Sequence, residues 1–165
     1  MALELIDSAP DDFDFVIGDW LVTHRRLKER LANCNDWLVF DGKMSTQKIL
    51  GGYGNVEDNI LQLPEQTVRA IALRSYDRNT GKWSIWWLDG RFPGQIDVPV
   101  VGDFVDGVGT FFANDVFRNI PIVVKFVWRQ LSEYHLHWEQ AFSADAGNSW
   151  EINWTMKFTR QQQPF

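Results

Sequence analysis

Trp150-Glu-Ile-Asn-Trp-Thr-Met-Lys-Phe-Thr-Arg160 is the stretch whose reading decides the architecture. Successive side chains of an extended chain point to opposite faces. Trp150, Ile152, Trp154, Met156, Phe158 and Arg160 therefore share one face, apolar until its last member, and Glu151, Asn153, Thr155, Lys157 and Thr159 share the other. The same period of two recurs upstream at 19–29, 37–40, 43–50, 55–63, 68–76, 82–88, 100–105, 109–117, 122–130 and 135–143. Asp41-Gly42 reads as a break between the second and third of these, and Gly51-Gly52-Tyr53-Gly54 as a tight bend. Asp77-Arg78-Asn79-Thr80-Gly81 and Asp106-Gly107 are hairpin loops, while 91–99, with two prolines and a glycine, is a longer one. Only 11–17 reads as a helical turn, and 161–165 as a frayed tail.

No helix is left over to cover a sheet face, so the strands must pack as two sheets or close on themselves. Hairpin-by-hairpin connections favour closure. The expected fold is all-β: one domain over residues 1–165, a closed antiparallel up-and-down barrel of about nine or ten strands with a short N-terminal helical turn. A two-sheet sandwich is the alternative. At 165 residues the chain buries enough surface to need neither disulfide nor metal, and its single cysteine, Cys34, allows no internal disulfide.

Composition narrows the function. Nine Trp and twelve Phe are a heavy aromatic load, suited to strands and to the walls of ligand pockets. The net charge of −6 and the lack of a basic stripe argue against nucleic-acid or anionic-membrane partners. The densest basic run, His24-Arg25-Arg26-Leu27-Lys28-Glu29-Arg30, distributes its charges over two faces of a strand. The acidic N-terminus does not read as a signal peptide and no apolar run is long enough to span a bilayer, so the expected location is cytoplasmic.

Phe15-Val16-Ile17-Gly18-Asp19-Trp20 leads a short turn into Gly-x-Trp at the start of the first strand. This resembles the opening of lipocalins, fatty-acid-binding proteins and related calycins. In that family the Trp plugs the closed end of the barrel and a basic residue of the last strand packs across its ring. The resemblance implies the same for Gly18, Trp20 and Arg160, with a cation–π contact worth about 0.5–2 kcal/mol. More widely, Phe13-x-Phe-x-x-Gly-x-Trp20, Ile49-Leu-Gly-Gly-x-Gly-Asn55 and Trp138-Glu-Gln-Ala-Phe-Ser-x-Asp-x-Gly-x-x-Trp150 resemble a bacterial family of uncharacterised calycin-like domains. That resemblance implies a fold and brings no catalytic residue.

Ser143-x-Asp145-x-Gly147-x-x-Trp150 fits the Asp-box of sialidase propellers, where it repeats once per blade. A single copy reads as a hairpin device: Asp145 accepts from the turn backbone, Gly147 takes positive φ and Trp150 packs beneath. His135-x-His137-x-Glu139 has a metal-ligand spacing, but the core-like face of that strand is Leu136, Trp138, Gln140 and Phe142. The three polar residues are expected outside, beside Lys157 or Lys125, and no metal site is assigned.

Placing Trp20 inside places Val22, His24 and Arg26 inside too, where they need a ligand, water or partners such as Asp58, Asn59 or Asp89. Arg74 follows Ala70 and Ala72 on one face, small residues that leave room beside a cation able to grip a carboxylate. Trp83, Trp86 and Trp87 occupy both faces of one strand, so one points outward, as at a homodimer contact. The leading expectation is a small-molecule-binding barrel with His24, Arg26, Asn59 and Arg74 as polar contacts and Trp20, Trp87 and Trp154 as walls. A lipocalin-fold enzyme is the alternative, a lyase or isomerase acting on a small aromatic or anionic substrate with His24 as acid or base and Arg26 or Arg74 holding the substrate. Haem binding through an inward His is a third reading. No cofactor is otherwise implied: Gly-x-Ser-x-Gly is absent, and Gly51-Gly-Tyr-Gly54 lacks the lysine of a phosphate loop.

Overall fold

The computed structural model describes residues 9–162; the residues outside that range include most of the tail expected to fray. Ten strands follow a one-turn 3-10 helix at Asp14–Val16. They are β1 (Gly18–Leu27), β2 (Trp37–Ile49), β3 (Gly54–Gln62), β4 (Thr67–Asp77), β5 (Lys82–Asp89), β6 (Val100–Val105), β7 (Val108–Phe117), β8 (Ile120–Gln130), β9 (His135–Ser143) and β10 (Glu151–Arg160). Each pairs antiparallel with its sequence neighbours, and β1 also pairs with β10, closing an all-β barrel. Among the described residues no helix is long and apolar enough to cross a membrane.

Alternation builds the interior. Val68, Ala70, Ala72 and Arg74 of β4 are all buried, whereas Ile71 is exposed on the outer face. One end is closed by Phe13, Val16 and Trp20, with Phe13 packed edge-on against Trp83 and Phe104. Trp20 is fully buried and donates its indole N–H to the Val16 carbonyl at 3.0 Å. The Arg160 guanidinium lies 4.2 Å over the Trp20 ring and donates to the Ile17, Phe15 and Glu133 carbonyls, tying the N-terminal turn to the last strand. Gly18 sits at φ 119°, and a Cβ there would lie 2.6 Å from Arg160 Nη1.

Two features depart from the sequence expectation. Asp41-Gly42 does not interrupt a strand; β2 runs unbroken for thirteen residues. Gly42 is needed for space, since a Cβ would stand 2.5 Å from the Ile60 carbonyl oxygen and 2.8 Å from His24 Nε2. The second departure is a β-bulge in β10, where Ile152 faces Ala141 and Trp154 faces Gln140, leaving Asn153 as the extra residue. The bulge shifts the register by one, so Trp150 and Ile152 do not share the core face with Trp154, Met156 and Phe158. Ile152 is 46% exposed, while Asn153, expected outside, is fully buried and accepts the Gln140 amide N–H at 2.8 Å. Trp150 lies outside the barrel under Lys125, whose Nζ is 4.1 Å from the ring centroid.

Candidate functional site

The end opposite Trp20 is open. It leads into a cavity of about 380 Å³ that runs down the barrel to Arg74. Its walls are apolar, and they include an edge-to-face series in which Trp154 meets both Trp87 (5.9 Å between centroids) and Trp138 (5.4 Å). Ala70 and Ala72 supply the space on the β4 side.

The floor is polar. Arg74, 1% exposed, donates to Asn55 Oδ1 at 2.8 Å and pairs with the Glu57 carboxylate, which also accepts from the Asn59 amide at 2.9 Å. Its guanidinium is held between the Phe13 and Trp128 rings, 5.0 Å from each centroid, and its Nε–H has no hydrogen-bond partner. Arg74 and Glu57 line the cavity; Asn55 and Asn59 support them from outside it.

The mouth carries four charged groups of each sign with the floor included, but two pairs close on themselves: Arg74 with Glu57, and Arg91 with Asp89, which Arg91 grips through Nε and Nη2. Arg26 and Arg30 remain, as do Asp97 and Asp115. Arg26, inward from β1, lies over the Trp154 and Phe40 rings at 5.1 and 5.5 Å. Arg30, in the following loop, lies over Phe117 and Phe142 at 5.1 and 5.6 Å. Neither forms an ion pair or hydrogen bond among the described residues. Burial, reinforced by neighbouring arginines, lowers the pKa of both, against the smaller opposing pull of Asp89 on Arg26 and of Glu151 and Asp97 on Arg30. Across the mouth Asp97 is pushed upward by partial burial, then by Asp115 and Asp89.

The structure brings Arg26, Arg74, Trp87 and Trp154 to the cavity and leaves His24, Asn59 and Trp20 away from it. His24 is 1% exposed, stacked on Phe40 at 4.6 Å, with Nδ1 accepting the Trp154 indole N–H at 3.2 Å. Burial, and secondarily Arg26, depress its pKa to about 3. With Nδ1 accepting the indole N–H, the neutral ring carries its proton on Nε2, which packs beside Gly42, and neither nitrogen faces the cavity where a haem or a substrate would lie. The other two histidines, His135 and His137, are on the outer face. Lys157 stands beside His137 there, as expected, while Glu139 forms its ion pair with Arg129, and no cluster fit for a metal occurs among the described residues.

Around the mouth, Asp145 organises the β9–β10 turn. It accepts from Ser143 Oγ, Ser149 N–H and Ser149 Oγ, which hold its pKa near 2, and Gly147 adopts φ 89° over the Trp150 ring. Trp86 faces outward from β5 beside Leu73.

Two participants escaped the sequence reading. Glu57 belongs to a β3 face made of Asn55, Glu57, Asn59 and Leu61, so the polar side is the inner one, the reverse of the usual alternation. The signal was available in the β3–β4 hairpin, which places that face opposite Ala72 and Arg74. Arg30 has the same parity as Arg26 but lies beyond the strand end, where alternation stops guiding the eye.

No protein-family model and no curated protein matches the chain. Among solved structures, an S-type phycobiliprotein lyase from Guillardia theta superposes with a TM-score of 0.62, over 92% of this chain and 92% of that one, at 7% sequence identity. At that identity the likeness is one of fold, and it identifies the chain as a ten-stranded closed barrel of the lipocalin-like kind.

Proposed function

We propose that this barrel binds a small planar molecule whose anionic group rests at the mouth against Arg26 and Arg30 while its body lies between the Trp87, Trp138 and Trp154 walls. The observation that carries the reading is that two guanidinium groups at the top of an aromatic cavity lie over ring faces and are held in no salt bridge, although Asp89 stands near Arg26 and Asp97 and Glu151 near Arg30. Half-buried cations that make no direct hydrogen bond carry a desolvation cost, which an incoming carboxylate would offset with charge-assisted hydrogen bonds. The cavity volume falls in the range of small-ligand sites. The lipocalin-like lyase architecture is compatible with a barrel built round a small molecule.

The test is calorimetric titration with planar one- and two-ring aromatic carboxylates against their uncharged amides. Carboxylates should bind and amides should bind more weakly by about 10-fold or more, from loss of one charge-assisted contact. Arg26→Gln and Arg30→Gln should each erode that preference. Equal affinity for acid and amide, or affinity indifferent to both substitutions, contradicts the proposal.

A further inference from the structure

The floor of the cavity specifies the other end of the ligand. Building on the mouth reading above, we infer that the ligand is a rod of about two aromatic rings carrying a neutral hydrogen-bonding group, such as a hydroxyl or carbonyl, at the end opposite its anionic group, and that Arg74 and Glu57 receive that group.

Three observations lead there. The first is chemical. An apolar cavity that served only apolar tails would be cheaper to floor with apolar side chains, because a buried ion pair seldom repays its desolvation. Here a 1%-exposed arginine and its carboxylate both line the space, and Arg74 keeps one N–H unpaired. The second is electrostatic. Arg74 and Glu57 form an ion pair without net charge, so the floor favours a neutral polar group over a second carboxylate; at the mouth the guanidinium donors of Arg26 and Arg30 are held in no salt bridge and can take the charge. The third is a length. Val68 lines the cavity towards its open end, and Arg74 lies six residues further along β4. At about 3.3 Å per residue that is about 20 Å along the strand, or about 15 Å down the axis for a tilt of about 40°, of which hydrogen-bond contacts at the two ends take about 5 Å. Spread over that depth, 380 Å³ leaves a cross-section of about 25 Å², one aromatic thickness. The Arg74 guanidinium is clamped between Phe13 and Trp128 and bonded to Asn55, so it is set in place before the ligand arrives.

Matched ligands test this on the unaltered protein. Biphenyl carboxylate is compared with its derivative hydroxylated at the ring position furthest from the carboxylate, and benzoate with its corresponding hydroxy acid as the short pair. The hydroxylated biphenyl should bind about 10-fold tighter than its parent, because only it satisfies the floor. The short pair should show no such gain, since its hydroxyl stops above Arg74. Arg74→Met alone would strand the buried Glu57 carboxylate and destabilise the barrel, so the variant to use is Arg74→Met with Glu57→Gln, in which the hydroxyl preference should vanish while carboxylate binding persists. If the parent biphenyl acid binds through Arg26 as tightly as the hydroxylated one, or if the short pair gains equally, the floor assignment is overturned and the mouth reading survives. If no acid of either length binds, both are overturned.

Discussion

Acidification should expose how His24 is held. The folded barrel keeps this imidazole neutral, its pKa depressed from 6.5 to about 3 by burial and by Arg26. Below the unfolded-state value the unfolded chain takes up a proton that the folded one refuses, so stability is full above that value and is lost as pH falls towards the folded value. With those two values, lowering the pH from about 7.5 to about 5 costs about 2 kcal/mol from this residue alone. That figure hardly changes for any folded pKa well below 5. The assay is urea unfolding followed by tryptophan fluorescence, for the native sequence and for His24→Phe. Phenylalanine keeps the stack on Phe40 but leaves the Trp154 N–H without an acceptor, so the variant should start about 1–2 kcal/mol less stable. It should then lose less on acidification, and the two stability curves should converge by about 2 kcal/mol between those pH values. Subtracting one curve from the other removes the carboxylates and the outer histidines, which are common to both proteins. Parallel curves would refute the reasoning and would mean that the imidazole is open to solvent or to the cavity.

Other substitutions test other parts. Gly42→Ala forces a methyl group against the Ile60 carbonyl and His24 and should destabilise the barrel by about 1–3 kcal/mol in the same unfolding assay. Arg160→Met removes the cation over Trp20 and the donors to three carbonyls, and should cost about 1–3 kcal/mol while leaving ligand affinity unchanged by titration calorimetry, because the closed end lies away from the mouth. Asp97→Asn takes a negative charge from the rim and should tighten carboxylate binding by about 2- to 5-fold above the raised pKa of Asp97, with the gain disappearing at lower pH where Asp97 is already protonated.

Much of the architecture follows from alternation. The β4 pattern put Arg74 on the same face as Ala70 and Ala72, and β1 put Arg26 on the face of Trp20; both faces turn inward. What alternation cannot carry is a residue that breaks it. The bulge at Asn153 leaves no compositional mark, so Trp150 and Ile152 exchange the core for the outer surface while the five apolar residues still look like one stripe. His24 was legible as inward but not as excluded from the cavity: its place depends on the glycine at 42, one strand away, and on the Trp154 indole, 130 residues on. Glu57 was hidden because a buried ion pair inverts the polarity of its strand, with Val56 and Ile60 on the outer side. Arg30 depends on a loop conformation, for which strand periodicity has no say.

The central claim is that the mouth of the barrel takes an anion on Arg26 and Arg30. A crystal structure of the complex with the tightest planar carboxylate tests it most directly. The carboxylate should sit about 3 Å from both guanidinium groups with the ring system descending between Trp87 and Trp154. A ligand bound on the outer surface, or inside with its carboxylate turned away from both arginines, would contradict it.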